Sequence, residues 1–125
     1  MNRQTKLTLD ELIRRKMQIQ EAKRQRKTKE LYIESLDGTI TLTEPSREVL
    51  SDASQIEDAY AVNRYVVYNC VTSPNLKSAE LQEAFDCAEP YDIVDQLFSY
   101  GEVMQIGGFL NTLSGLNGGV EEVKN

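Results

Sequence analysis

The 125-residue sequence contains no histidine and only two cysteines. Without histidine there can be no Ser-His or Cys-His nucleophile pair and no metal site with a histidine ligand. Cys70 and Cys87 have no further cysteine partner, which excludes a disulfide framework and a four-cysteine metal site. No apolar run reaches the ~18 residues of a membrane-spanning helix, and residues 1–6 lack the apolar stretch of a secretory signal. We therefore predict a soluble intracellular protein that is not an enzyme and needs no cofactor or metal.

Basic residues are scarce after position 30. Residues 1–30 hold ten lysines and arginines against four acidic residues, a net charge of +6, whereas the rest of the chain holds four against sixteen, a net charge of −12. The acidic part repels a nucleic acid backbone, so a nucleic-acid role could rest only on the basic arm. We interpret the arm as a solvated helix or as a segment that neutralises the acidic body of its own or a neighbouring subunit, with a phosphate-binding arm as the alternative.

The opposite charges of arm and body favour association between copies. Our hypothesis is that the arm of one subunit docks on the body of the next, a heterologous contact that can build rings or filaments. Deleting residues 1–30 is then expected to abolish oligomers. We assign partner binding to basic residues of the arm and to apolar residues of the last helix: Arg14, Arg15, Lys16, Arg24, Arg26, Lys27, Val103, Ile106, Leu110 and Leu113.

The arm begins as an amphipathic helix. Thr8 and Glu11 have the spacing of a capping box, in which the threonine accepts from a backbone amide and the glutamate reaches back. One apolar stripe follows at helical spacing, formed by Leu9, Leu12, Ile13 and Met17. From Gln20 to Lys29 the predicted helix is polar on every side, which isolated helices of this length seldom sustain. We therefore regard this stretch as a candidate binding element that is mobile or ordered by a partner.

Residues 31–43 have the pattern of a β-hairpin. Asp37-Gly38 between two alternating runs is a strong hairpin signal, and a two-residue loop there would pair Ser35 with Ile40. The predicted buried face consists of Leu31, Ile33, Ile40 and Leu42. Because a lone hairpin is marginally stable in water, it must pack on helices or extend its edge with another chain.

The remaining sequence predicts helices, each with a start signal. Ser46, Ser78 and Ser99 are good N-caps, a helix is predicted from Gln55 to Val71, and Pro90 suits a first helical position. The pair Gly107-Gly108 indicates a kink or a close backbone contact within the last helix, or simply a poor helix. The fold class is thus α+β and mostly α, with about five to six helices and one hairpin packed on them. Its predicted parts are a basic helical arm (1–30), one globular domain (31–115) and a mobile acidic tail (116–125).

Several other groups of residues do not indicate a functional site. The acidic pairs Asp92/Asp95 and Glu80/Glu83 are best explained as solvated helix faces, since no other ligating residue type converges on them. The two cysteines are interpreted as small core side chains. Three tyrosines of the predicted third helix offer a contact surface as the alternative to core packing: Tyr60, Tyr65 and Tyr68.

Ordered segments over nearly the whole chain resemble the XkdN-like phage tail assembly chaperones of Gram-positive phages and defective prophages. They follow a basic N-terminal helix and comprise Lys29–Ile40, Glu44–Glu48, Tyr68–Val71, Ser73–Lys77, Leu81–Ala84 and Glu89–Val94. None of them is a catalytic signature, and the resemblance assigns no binding residue.

The resemblance implies a chaperone that acts in the host cytoplasm during tail morphogenesis and is absent from the mature virion. It binds the long, helical, aggregation-prone tape measure protein until tail tube subunits, a further possible partner, polymerise around it. Self-association fits this role because a long client needs several copies. Nucleic acid, membrane and small molecules are not expected partners. The alternatives are a structural tail or connector component and, with less support, a nucleic-acid-associated regulator that uses the basic arm.

Overall fold

The computed structural model describes residues 6–116 and 118–123. The first five residues of the predicted arm and the last two of the predicted tail lie outside this range, as does Asn117. In the described part, seven α-helices and a three-stranded antiparallel sheet form an α+β fold that is mostly helical, which confirms the predicted fold class. The helix number is slightly above the predicted five to six.

The elements follow one another along the chain in this order: α1 (Leu9–Arg14), α2 (Lys16–Arg24), β1 (Thr28–Ile33), β2 (Gly38–Thr43), α3 (Arg47–Ala53), α4 (Ala59–Cys70), β3 (Val71–Ser73), α5 (Ala79–Ala84), α6 (Asp92–Leu97) and α7 (Tyr100–Leu113). They belong to two compact units. One unit, Lys27–Asn117, contains the sheet and α3 to α7. The other combines Met1–Arg26, which contains α1 and α2, with Gly118–Asn125.

The hairpin of β1 and β2 has the predicted buried face, but the predicted register is wrong. Ile40 pairs with Leu31 instead of Ser35, because the chain turns through a 3₁₀ turn at Glu34–Leu36 and a left-handed Asp37. The hydroxyl of Tyr32 donates to the Asp37 carboxylate at 2.6 Å and supports this longer loop. The shift is four residues, an even number, so every side chain keeps its predicted face.

A third strand, β3, extends the sheet and was not predicted. It pairs antiparallel with β2 through Thr41 and Leu42, which makes β2 the central strand and leaves β1 at an edge. Helix α4 ends at Cys70 and the chain passes directly into β3 at Val71. The strand-forming residues at the end of the predicted helix thus divide between the two elements.

The core lies between the sheet and helices α4, α6 and α7. Its fully buried members come from all of these elements and from the loop after β3: Leu42, Val67, Leu76, Ile93, Val94, Val103, Ile106 and Leu110. Cys70 is buried there at 3% exposure, in agreement with its interpretation as a core side chain.

Side-chain caps begin the helices where the sequence indicates. Ser46 and Ser78 each accept a hydrogen bond from the backbone amide three residues later. Helix α4 begins at Ala59, four residues after the predicted start at Gln55, because the Asp58 carboxylate caps it there by accepting from the Ala61 amide. Ser99 and Glu102 form both bonds of a capping box at the start of α7. Helix α6, in contrast, begins at Asp92, two residues after the predicted start at Pro90.

Gly107 marks a close contact between α7 and α4, and α7 remains helical through Leu113. A Cβ atom placed on Gly107 would overlap the side chain of Asn63, whereas one placed on Gly108 would have nothing within 4 Å. The sequence left open a kink, a close backbone contact or a poor helix. The structure shows a close contact at Gly107, whereas nothing in the packing requires a glycine at position 108.

Candidate protein-binding surfaces

The basic arm is helical from Leu9 to Arg24, with one irregular residue at Arg15 between α1 and α2. Thr8 caps it by accepting a hydrogen bond from the Glu11 amide at 3.1 Å. The helix is shorter than predicted. It ends at Arg24, and Thr28 to Glu30 belong to β1.

The apolar stripe of the arm is exposed. Neither α1 nor α2 contains a buried residue. The four stripe residues have exposed fractions between 41% and 79%: Leu9, Leu12, Ile13 and Met17. Burying a side chain of this size contributes about 1.5–3 kcal/mol, so the stripe retains a large unused capacity to bind a complementary apolar surface.

The predicted basic residues of the arm are all exposed. Arg14 and Arg15 form ion pairs with Glu11, and Arg24 forms one with Glu21. Exposed pairs of this kind contribute little to stability and exchange readily for other partners. Lys16 lies at the start of α2, whereas Arg26 and Lys27 follow it, and the backbone carbonyl of Lys27 accepts from the Glu44 amide at 2.8 Å.

The predicted residues of α7 occupy the core. Val103, Ile106 and Leu110 are 0–2% exposed, while Leu113 is partly buried against the same cluster. In this fold the first three side chains offer almost no surface to a partner. The accessible parts of α7 are instead the walls of two grooves, which sequence reasoning missed.

The larger groove lies between α3, α4 and α7 and has a volume of about 540 Å³. We call it the helix groove. Its lining is mostly apolar or small, with two amide side chains and one serine: Pro45, Leu50, Ala53, Ser54, Val62, Asn63, Val66, Met104, Gly107, Gly108, Leu110, Asn111 and Leu116. The glycine pair was the one sequence signal that pointed to this groove, because residues without side chains leave a depression on the surface of α7.

The smaller groove, of about 360 Å³, lies between the edge strand β1 and the opposite side of α7. We call it the edge groove. Leu31 and Phe109 supply accessible apolar surface above the buried Ile33 and Ile106, and three glutamates line the groove: Glu30, Glu34 and Glu102. Among the lining residues there is no base, although the Lys29 ammonium lies 5.7 Å from the centroid of the Phe109 ring.

Glu102 joins the two walls of the edge groove. Its carboxylate accepts from the Ser35 hydroxyl at 2.6 Å and from the Ser99 backbone amide at 2.8 Å. These hydrogen bonds, that from Ser35 first, lower the pKa of Glu102 below its usual range because they favour the charged form. The glutamate is therefore ionised at neutral pH.

This lowered pKa predicts a pH-dependent contribution to stability. The contribution is present above the pKa of an unfolded glutamate, about 4.3, and is lost as pH falls through the lowered folded value. We expect Glu102→Gln to reduce the free energy of unfolding at pH 7 and the difference from the unsubstituted protein to narrow at pH 3. Urea denaturation at both pH values measures it, and an equal difference at both would contradict the assignment.

The tyrosines of α4 are occupied by contacts within the domain. Tyr60 stacks on Tyr100 with 5.1 Å between ring centroids and donates a hydrogen bond to Asp95, and burial raises its pKa to about 12. Tyr68 packs against Tyr91 at 4.5 Å. Asp95 also pairs with Arg64, as does Asp92. These contacts favour the packing interpretation of the tyrosines and give the acidic pair of α6 a structural role.

In the part of the chain that the structure describes, no cluster of three or more cysteines and carboxylates could hold a metal ion. Within the same residues, no helix has both the length and the apolar character needed to cross a membrane.

The model of the phage XkdN-like tail assembly chaperone (TAC) family matches residues 51–125. The chain belongs to this family. No curated protein and no solved structure matches it. The matched region of this tail assembly chaperone begins within α3 and includes α4 to α7, and therefore most of the helix groove.

Proposed function

We propose that this tail assembly chaperone binds the tape measure protein and keeps it soluble, and that one amphipathic helix of this client occupies the helix groove. The observation that carries the proposal is the groove itself, an open and mostly apolar surface on a domain from a chaperone family. Helix-in-groove binding places the apolar face of an amphipathic helix into such a surface.

The walls of the helix groove suit a helical client. Val62, Val66 and Met104 are partly buried, so each keeps apolar surface that a client could cover. At Gly108, which is exposed, the absence of a side chain lets a client backbone approach α7 closely.

The proposal includes the cellular setting and the other partners. The chaperone acts without catalysis in the host cytoplasm during assembly, and it leaves before the particle is complete. Several copies associate along one tape measure protein, because a single groove covers only a short part of a long client. Tail tube subunits displace the copies as they polymerise.

A bulky residue at Gly108 tests the groove directly. The protein is coexpressed with the tape measure protein of the same genome, and soluble complex is measured by light scattering after size exclusion. We expect the unsubstituted protein to keep the tape measure protein soluble and Gly108→Trp to reduce the soluble fraction at least fivefold. Gly108 lines the groove, and a Cβ atom at this position meets nothing within 4 Å, so the new side chain starts in open space.

Gly101→Trp is the matched control. Gly101 lies at the start of the same helix and is exposed, and it lines neither groove, so this variant is expected to behave like the unsubstituted protein. Equal capture by the Gly108 variant would overturn the assignment to the helix groove. A tape measure protein that aggregates despite the unsubstituted chaperone would overturn the proposed function.

A further inference from the structure

The edge groove has an apolar floor and an acidic margin on a domain that is acidic as a whole. Lys27–Asn117 contains five basic and fifteen acidic residues, a net charge of −10. Glu30 and Glu34 lie on the strand side of the groove and Glu102 on the helix side. Phe109, which is 43% exposed, keeps the floor accessible. A complementary occupant has apolar side chains along one face and basic side chains beside them.

The arm of this same chain has that chemistry. Met1–Arg26 contains eight basic and three acidic residues, a net charge of +5. In α1 and α2 the exposed apolar stripe runs beside three consecutive basic residues, Arg14 to Lys16. A helix with these two features buries its stripe and directs its basic side chains to the margin of an acidic groove.

We propose that the edge groove of one copy binds the α1–α2 arm of a second copy, with Leu12, Ile13 and Met17 against the floor. Arg14, Arg15 and Lys16 then face the glutamates on the strand side. This proposal names the interface for the self-association in the proposed function, on which it rests. A second copy is favoured over another partner because it supplies this charge pattern at the same concentration as the groove.

The contact is heterologous, which has a consequence for assembly. Each bound pair leaves one arm and one edge groove unoccupied, so further copies add until a ring closes or a filament grows. The helix groove lies on the other side of α7 and stays open in such an assembly. Successive copies would therefore present a series of client-binding grooves.

Charge-reversal variants of the full-length chain, studied without the tape measure protein, test the interface. One variant reverses the groove (Glu30→Lys with Glu34→Lys), and another reverses the arm (Arg14→Glu, Arg15→Glu and Lys16→Glu). We expect the unsubstituted protein to form oligomers that grow with concentration and dissociate as salt rises. Each variant by itself is expected to have the mass of one chain, because arm and groove then carry charges of the same sign.

Mixing the two variants in equal amounts is expected to restore the large assemblies, since the acidic arm meets the basic groove and the basic arm meets the acidic one. Glu57→Lys with Glu83→Lys is the matched control, because it makes the same charge change at exposed positions outside both grooves. It should keep the unsubstituted mass. Mass is measured by sedimentation, and circular dichroism verifies that each variant is folded.

Three results would overturn the proposal: a single-chain mass for the unsubstituted protein at every concentration, groove variants that keep its mass, or a mixture that stays dissociated. An arm bound within its own chain would give the first result, and an unrelated interface the second. A failure of this proposal can be distinguished from a failure of the proposed function, because the Gly108 experiment measures capture of the tape measure protein separately from oligomer mass.

Discussion

Leu110→Ala is expected to lower the free energy of unfolding by about 2–5 kcal/mol, the range for truncating a fully buried leucine. Leu110 is 1% exposed and packs in the core while also lining the floor of the helix groove. The loss combines the transfer energy of the removed carbons with the cavity that remains. Urea denaturation followed by circular dichroism measures it.

Phe109→Ala on the same helix provides the comparison. Its ring is 43% exposed and is contacted by the Lys29 ammonium, so we expect a loss of no more than about 1 kcal/mol. The two results distinguish a core side chain of α7 from an exposed one. If Leu110→Ala left stability unchanged and reduced only the binding of a partner, the leucine would not have the core role described for it.

The adjacent glycines of α7 are expected to respond to alanine with opposite signs. Gly107→Ala should lower the free energy of unfolding by about 1–3 kcal/mol, because the new Cβ overlaps Asn63 and forces α4 and α7 apart. Gly108→Ala should raise it by up to about 1 kcal/mol, because the methyl group enters open space and alanine favours the helix. Thermal or urea unfolding of both variants measures the difference.

Asn63→Ala supplies the internal test of this explanation. The Asn63 amide donates to the Ala59 carbonyl at 2.8 Å and lies 3.5 Å from the Met104 sulfur, so the asparagine is held in place against α7. Removing it should reduce the penalty of Gly107→Ala by at least half. An unchanged penalty in the double variant would place the cause elsewhere than in this contact.

The caps and the alternating face show how far local sequence determined this fold. Ser46, Ser78 and Ser99 begin helices because each carries a hydroxyl that accepts from a backbone amide three residues later, a contact within one turn of chain. The buried face of the hairpin was also predicted, because side chains alternate along a strand whatever its partner. The separation of a basic arm from an acidic body follows directly from the order of charged residues along the sequence.

The hairpin register and the third strand depended on residues distant in sequence. Asp37-Gly38 suits a two-residue loop, but in the observed register Leu31 pairs with Ile40, and the longer turn brings the Ser35 hydroxyl to the Glu102 carboxylate of α7. Strand β3 forms because β2 has a second edge to pair with, while the same residues could continue a helix. Neither the register nor the third strand can therefore be predicted from a short stretch of sequence.

Some features of the candidate surfaces were likewise predictable from the sequence, and others were not. The sequence by itself determined the amphipathic basic arm and the apolar face of α7, since both follow from helical spacing and residue type. Only the tertiary structure decided that Val103, Ile106 and Leu110 are enclosed and that α7 has a groove on each side. It also decided that Gly107 is needed for contact with α4 while Gly108 is not. Burial and groove shape arise from packing between elements far apart in the chain, whereas caps and periodicity arise within a few residues.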